Sequence, residues 1–527
     1  MDREELIKFI SNRQSEMAQD RRQFEERWAE VTEYLLPSRQ LMIDNASYNK
    51  GAKAATVYDG TAIDALRIFA DGIHSQMCGE NFPWVSLICP DPEVWKSLDV
   101  RNWFHVAEDQ LYNAYRRSGF YKSIGEYILD GGSIGTMSMG VEEVLGDERI
   151  SFLTRHPMEI YIDENVWGEP DTVHRKYVMS ARQAMQYFGE DTTDTDLIRI
   201  SEEKPSSKHT FIHAIYPTTD VFPGQKTYKG KKYASFHYRE GANDIAKDGG
   251  YNIMPYAVCR IMKNSAEVYG RSPGMDALQD ILTLNQMSKQ TVKRAQLEAS
   301  PMWNIPSEAE GEEDIRPDGR FYYEDTGRTI TPADMRGSFS LGKDVQMTKV
   351  DMIRKHFRVD FFLALTNIQR QMTATEIVGR QGEQALMITP IISRFTEEGI
   401  DKIVKKTLEI EMRAGRIPPP PGQVADIGIE YVSPLARAQR TGFKMLGVNS
   451  FVSTVMQIAG VNPDILDTID MTKFSYFLAD AFGNKADFMH TPEEVQKIRE
   501  MKYSAQMADA MGSAGVTPQP QSRMSVQ

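Results

Sequence analysis

The segment Met275–Ser300 runs for 26 residues without a glycine or a proline. As a helix it would reach about 39 Å. Its first half carries an apolar stripe of Leu278, Ile281, Leu282, Leu284 and Met287, and its second half reads Ser288-Lys289-Gln290-Thr291-Val292-Lys293-Arg294-Ala295-Gln296. A helix that loses its apolar stripe halfway cannot lie in a core along its whole length. Its second half must be solvated, or must pack against neighbours through small and polar contacts. Pro301 stops it.

The next stretch, 301–345, is broken by Pro306, Pro317 and Pro332 and by Gly311, Gly319, Gly327, Gly337 and Gly342. One end of it is strongly acidic, with Glu308, Glu310, Glu312, Glu313, Asp314 and Asp318. A structureless loop of that length is foreign to a compact domain, so 301–345 is expected to be a small subdomain with short strands such as Arg320–Tyr323. A second helical segment, Lys349–Leu365, leads out of it. The stretch 366–382 is then polar, with Asn367, Gln369, Arg370 and Gln371. Two rods with a polar tip at one end and a polar loop at the other suit a channel wall better than a small-molecule enzyme.

The rest of the chain divides by periodicity. In 2–36, Leu6, Phe9, Ile10, Met17, Phe24, Trp28, Val31 and Leu35 recur at helical spacing, and Pro37 ends the helix. Residues 38–56 read as a surface loop. A second helix starts near Thr61, with Asp59 or Thr61 as its cap, and 99–129 reads as a third. From about 130 to 262 strands dominate: Ile150–Leu153, Glu159–Ile162, Thr172–Met179, Phe211–Tyr216, Tyr233–Tyr238 and Tyr256–Met262, with a helix at Ala181–Phe188. This is an α+β pattern rather than a βα alternation. Residues 384–414 read as a long helix with a kink at Pro390, Ile427–Val432 as a strand, and 434–511 as helical. The tail 512–527 is poor in apolar residues and is expected to be disordered.

Several domains are expected from 527 residues. The formal charge of −13 argues against a protein that grips nucleic acid tightly, while leaving room for one that touches DNA without holding it. Cys78, Cys89 and Cys259 offer no disulfide framework and suit a reducing compartment. No apolar run approaches the ~18 residues of a spanning helix. The start, Met1-Asp2-Arg3-Glu4-Glu5, is charged and helical, not a signal peptide. Assembly in a cytoplasm, without a membrane, is the expectation.

No motif demands catalysis. Gly337 to Asp344 fits G-x-x-x-x-G-K but ends in Asp, where a phosphate loop needs Ser or Thr to ligate magnesium. Asp130–Gly140 is glycine-rich but runs from helix to strand, the reverse of a phosphate loop, and is read as close packing. His209 and His213 share a strand face without a carboxylate or cysteine cluster, so no metal site is expected. Lys289 and Lys293 lie one turn apart on the long helix, with Arg294 beside them. They are either a solvated face or, repeated around a ring, a girdle of positive charge. No catalytic residues, cofactor or metal are assigned.

Many short stretches, in order, are similar to the portal (head-to-tail connector) proteins of podovirus-type bacteriophages. They include Arg27-Trp28 with Pro37, Tyr58-Asp59-Gly60-Thr61-Ala62, Pro83-Trp84, Gly131–Gly140, and Tyr269-Gly270-Arg271-Ser272-Pro273. Met372-Thr373-Ala374-Thr375-Glu376-Ile377 and Tyr431 to Gln439 carry the resemblance furthest. It implies a portal fold assembled as a ring, normally of twelve subunits, at one capsid vertex, through which double-stranded DNA is packaged and ejected. It further implies docking of the large terminase and then a tail adaptor, with major capsid and scaffolding proteins around it in the virion. Laid onto the chain, 1–272 and 383–433 would be wing, 273–300 and 346–365 stem, and 301–345 clip. Residues 366–382 would be the tunnel loop, 434–511 crown and 512–527 the tail.

On that layout Lys289, Lys293, Arg294, Asn367, Gln369, Arg370 and Gln371 are the candidate DNA-channel residues. Glu308, Glu310, Glu312, Glu313, Asp314 and Asp318 are the candidate docking residues for motor and tail. Two other readings stand beside it: a virion scaffold or adaptor without a channel, and an ATP-driven packaging enzyme, against which the missing nucleotide motif argues.

Overall fold

The computed structural model describes residues 3–37, 57–144 and 149–299 with few gaps, then 303–304, 331–332, 339–366, 388–432 with few gaps, and scattered helical positions between 451 and 504. The chain forms two compact units, one from 1–372 with 384–434, the other from 373–383 with 435–527. The second is described only at those scattered positions, which are helical, in keeping with the helical pattern of 434–511.

The first unit opens with helix α1 (Arg3–Leu35). Its buried side is Leu6, Ile10, Gln14, Met17, Arg21, Phe24, Trp28, Val31 and Leu35, one residue every three or four. Three polar residues, Gln14, Arg21 and Thr32, therefore sit inside an apolar stripe, and all are satisfied, Thr32 by the Trp28 carbonyl at 2.6 Å. Arg21 donates from Nη1 to the carbonyls of Met158 at 2.9 Å and Ile160 at 3.0 Å, and lies 3.6 Å over the Tyr161 ring. Gln14 meets His174 at 2.8 Å.

Helix α2 (Thr61–Met77) starts after Gly60, and Asp59 Oδ1 accepts from the Thr61 amide at 2.9 Å, one position ahead of a standard cap. Strand β1 (Val85–Ile88) and the single turn α3 (Pro92–Trp95) come after it. The expected helix over 99–129 is two, α4 (Leu98–Arg117) and α5 (Phe120–Ser133). Gly119 turns the chain between them with φ 74°, a conformation open to glycine at little cost. Val106, an apolar residue of α4, is 45% exposed.

Strands β2 (Thr136–Glu143) and β3 (Ile150–Arg155) come next, then β4 (Ile160–Glu164), β5 (Pro170–Ser180), helices α6 (Ala181–Phe188) and α7 (Thr195–Glu203), and β6 (Lys208–Pro217). The short α8 (Thr218–Val221) precedes β7 (Tyr233–Arg239), β8 (Ile245–Tyr251) and β9 (Tyr256–Arg260). They build two antiparallel sheets, one of order β3-β2-β9, the other β4-β5-β6-β7-β8. α1 packs across both: Leu6 and Ile10 join Phe236 and Tyr216 in one cluster, Phe24 and Trp28 join Tyr256 and Tyr269 in another.

The chain then leaves on α9 (Pro273–Ala299). Two short strands of the expected insert subdomain, β10 (Trp303–Asn304) and β11 (Thr331–Pro332), pair antiparallel; Arg320–Tyr323 lies outside the described residues. The return path is α10 (Phe339–His356) and α11 (Val359–Thr366). The helical segment Lys349–Leu365, read as one rod, is thus two helices, and the first begins inside the range read as insert. Arg358, a non-glycine residue at φ 54°, makes the corner.

Residues 388–394 are helical and run through a wide π-type turn, Phe395–Ile400, into α12 (Asp401–Arg413). An additional irregularity, which the sequence pattern does not mark, lies at 395–400. Finally β12 (Gly428–Tyr431) returns to pair with β1, with Val85 opposite Tyr431. The architecture is mixed α+β, as the periodicity indicates.

Candidate functional site: a helix pair and its root in the sheets

The helix pair is anchored where the glycines cluster. A Cβ on Gly131 would stand 2.8 Å from Ile261, and one on Gly135, at φ +89°, 2.4 Å from the Arg271 backbone. Only glycine lets these segments touch. Ser272 then caps α9: its Oγ accepts from the Met275 amide at 3.0 Å and donates to the Ser133 carbonyl at 2.5 Å. Pro273 stands at the first helical position, where no amide is needed.

Along α9 the side chains Ala277, Leu278, Ile281 and Leu284 are buried. Beyond them burial falls away, as the loss of the apolar stripe requires, and Val292 is 42% exposed. α10 runs antiparallel alongside, held by polar contacts. Lys349 Nζ lies 2.7 Å from Asp280 Oδ1, and Gln346 donates to Thr291 Oγ1 at 3.0 Å. At the near end Phe69 of α2 packs edge-on against Phe357 and Phe362 at the α10–α11 corner.

A strap before α2 crosses the middle of α9. The Tyr58 amide donates to Asn285 Oδ1 at 2.7 Å, and Ser288 Oγ donates to Asp59 Oδ2 at 3.2 Å. The two candidate channel lysines therefore differ. Lys289 is half-buried, its ammonium 5.7 Å from the centre of the Tyr58 ring, while Lys293 is exposed. Arg294 is half-buried. Asn367, Gln369, Arg370 and Gln371, and the acidic residues Glu308, Glu310, Glu312, Glu313, Asp314 and Asp318, lie outside the described residues.

At the root stands a residue that no sequence pattern singles out. Arg260 ends β9 with its side chain fully buried. Its Nε and Nη2 donate to the two oxygens of Glu398 at 3.0 Å each, Nη1 bonds Glu164, and Nη2 also reaches the Gly168 carbonyl at 2.8 Å. Burial works against the charge, but the bonds and charges of Glu398 and Glu164 outweigh it and raise the guanidinium pKa. The π-type turn presents Glu398 here, and glycine is required next to it: a Cβ on Gly399 would sit 2.8 Å from the Tyr127 hydroxyl. The available signal is an arginine closing the apolar run Tyr256–Cys259.

The five-stranded sheet also carries a polar ladder, buried at its two histidines. Arg175, His213, His237 and Lys247 stand opposite one another on successive strands, and the two imidazoles stack at 3.8 Å. Burial holds both histidines neutral, aided for His213 by His237 and Arg175 and for His237 by Lys247; His237 falls to about 3. His213 bonds Tyr256 at 2.8 Å and Ser235 at 2.9 Å, a core histidine with its partners. One end of this ladder opens into a cleft of about 660 Å³ bounded by Glu142, Arg155, Arg175, Tyr187, Tyr251 and Lys406.

The remaining motifs are structural. Gly342, Lys343 and Asp344 lie within α10, where no phosphate loop exists. Among the described residues no group of three or more His, Cys, Asp or Glu is placed to hold a metal, and no helix is long and apolar enough to cross a membrane.

Ser272 thus fixes the start of α9 to the glycine-rich turn before β2, and Arg260 fixes the segment after the helix pair to β9 through Glu398. The chain belongs to the family of bacteriophage head-to-tail connecting proteins, whose family model matches residues 8–489, and so is a portal-class, non-enzymatic virion component at the junction of head and tail. It is 26% identical over 519 residues to the probable portal protein of Bordetella phage BPP-1, covering 95% of this chain and 92% of that one. It is likewise 26% identical over 529 residues to the portal protein of Salmonella phage epsilon15, covering 97% and 93%. Among solved structures, a chain from the virion of a native gene transfer agent particle aligns at TM-score 0.37 and 12% identity, over 75% of this chain and 86% of that chain.

Proposed function

We propose that this portal-class chain assembles as a closed ring, of twelve subunits, whose central opening is framed by α9 and α10 and passes double-stranded DNA. The observation that carries the reading is the helix pair itself. α9 spans 27 residues, about 40 Å, and in its outer half Thr291 accepts a hydrogen bond from Gln346 of α10. In this reading 1–272 and 383–433 are wing, 273–300 and 346–365 stem, and 301–345 the clip that docks the large terminase and later the tail adaptor. Residues 366–382 form the tunnel loop and 434–511 the crown, within the capsid and scaffolding shell. Such a ring must let a polyanion slide, so its cations should be sparse, since each neutralised phosphate adds a salt-dependent hold. Lys293 suits that role best, being exposed on the outer half of α9; Lys289 is engaged with Tyr58 and contributes beside it.

The test is the mass and shape of the purified chain. Light scattering and negative-stain images should give closed rings with a central hole and no ATP turnover in the presence of DNA. A stable monomer, or ATP hydrolysis abolished by Lys343→Ala, overturns the reading.

A further inference from the structure

The β4–β5 hairpin ends in an apolar knob that stands clear of its own subunit. Val166 is 90% exposed and Trp167 82%. The turn beneath them is stiff. Asn165 Oδ1 accepts from the Trp167 amide at 2.9 Å and the Glu169 amide at 3.0 Å, its carbonyl accepts from Gly168 at 2.9 Å, and its own amide reaches the Glu169 carbonyl at 2.9 Å. Arg260, itself clamped, holds the Gly168 carbonyl from behind. Asp163 is paired with Arg13 and Glu164 with Arg260 and Lys263, which leaves Glu169 and Asp171 as the acidic groups beside the knob. An indole presented on a rigid turn loses little freedom on docking.

The cleft of about 660 Å³ is the complement. Arg155, Arg175, Lys247, Lys406 and Arg413 face two carboxylates, Glu142 and Glu143, so its lining is net positive in an acidic chain. Tyr177, Tyr187 and Tyr251 supply ring surface. Leu153 and Val178, both of the lining, are 47% and 37% exposed. Two buried polar atoms in it have no partner, Arg155 Nε and Glu142 Oε1. Such atoms are costly unless a ligand satisfies them.

Knob and cleft stand at opposite ends of β5, the knob in the turn before Pro170 and the cleft lined by Tyr177, Val178 and Met179, roughly 25 Å along the strand. β9 and β3 flank β2 on its two sides. Arg260, behind the knob, pairs with Thr136 at the start of β2, whereas the cleft is built on Val141 to Val144 at its end, about 20 Å along the strand. One subunit cannot fill its own cleft, and a contact between unlike patches of identical chains is heterologous, the kind that closes rings.

We propose that Trp167 of each subunit docks in the Glu142–Arg155–Tyr187 cleft of a neighbouring copy, with Glu169 against the cationic rim. This rests on the ring reading above. Two variants test it in the full chain. Trp167→Ala, which removes a side chain exposed in its own subunit, should leave the far-ultraviolet circular-dichroism spectrum unchanged and weaken subunit association by about thirty-fold or more in sedimentation. Leu153→Cys combined with Val166→Cys, which keeps Trp167, treated with a short bismaleimide, should give a covalent ladder that neither single variant gives; the native cysteines are buried. Rings that assemble normally without Trp167, and yield no ladder, overturn the docking while leaving the ring intact. Capture of the cleft by a capsid or scaffolding protein in place of a second copy overturns it too. A wild-type chain that makes no ring removes the ring reading first.

Discussion

The Arg260 guanidinium grips both carboxylate oxygens of Glu398 at 3.0 Å, across 138 residues of chain. Between the two lie α9, the insert, α10, α11 and the polar loop. The pair therefore closes the base of the entire helix excursion onto β9. A second closure, β1 with β12, pairs Val85 with Tyr431. A projecting rod pair can bear load only if both of its ends are fixed to one body, and these two contacts do that.

Breaking the clamp from one side strands a buried charge. Glu398→Ala should lower the stability of the sheet unit by about 3–5 kcal/mol, the range for a buried ion pair that loses one partner. Arg260→Lys should rescue little, because an ammonium cannot reproduce the two-pronged contact. Hydrogen exchange at the base of α9 is the measurement, and unchanged protection in Glu398→Ala would contradict the role.

His174 ties α1 to the sheet, meeting Gln14 Oε1 at 2.8 Å and the Tyr216 hydroxyl at 2.5 Å. Burial, aided by the Arg13 charge, pushes its pKa down to about 3. The unfolded chain then binds the proton first on acidification. Stability is full above the ordinary histidine value near 6.5 and falls as pH drops from there toward 3, by up to about 1.4 kcal/mol per pH unit. His174→Gln should show a shallower acid slope in denaturant melts over that window. An identical slope would place the sensitivity elsewhere.

If Lys289 and Lys293 guide DNA, Lys289→Gln with Lys293→Gln should change packaging or genome retention while rings form normally. The Tyr58 contact of Lys289 makes Lys293→Gln alone the more telling variant. Rings that fail to form would mean that these lysines pair with carboxylates of the neighbouring subunit and do not meet DNA.

The acidic stretch of the insert suits a basic partner and steered encounter. Deleting 308–318 should leave rings intact and abolish motor or tail attachment in a reconstituted packaging assay. Packaging and tail joining that survive the deletion would remove the docking role.

Periodicity makes much of the fold legible. The α1 stripe, the α6 boundaries, the six strands and the long α9 can be read from the chain because one face of each is apolar. Features that depend on single backbone angles or long-range pairs cannot. Gly119 splits one expected helix and Arg358 another, and neither alters the hydrophobic pattern. Gln14 and Arg21 look like interruptions of a stripe and are its polar anchors. Arg260 and Glu398 are far apart in sequence and share no motif. The Trp167 knob is invisible to pattern, because a lone Val-Trp on a turn carries no period at all.

The most direct measurement is a cryo-electron microscopy map of the purified chain at a resolution that traces α9. A closed ring in which α9 and α10 frame the central opening, with Lys293 facing it, is the expected result. A monomer, or a ring with the helix pair directed outward, would contradict the channel reading.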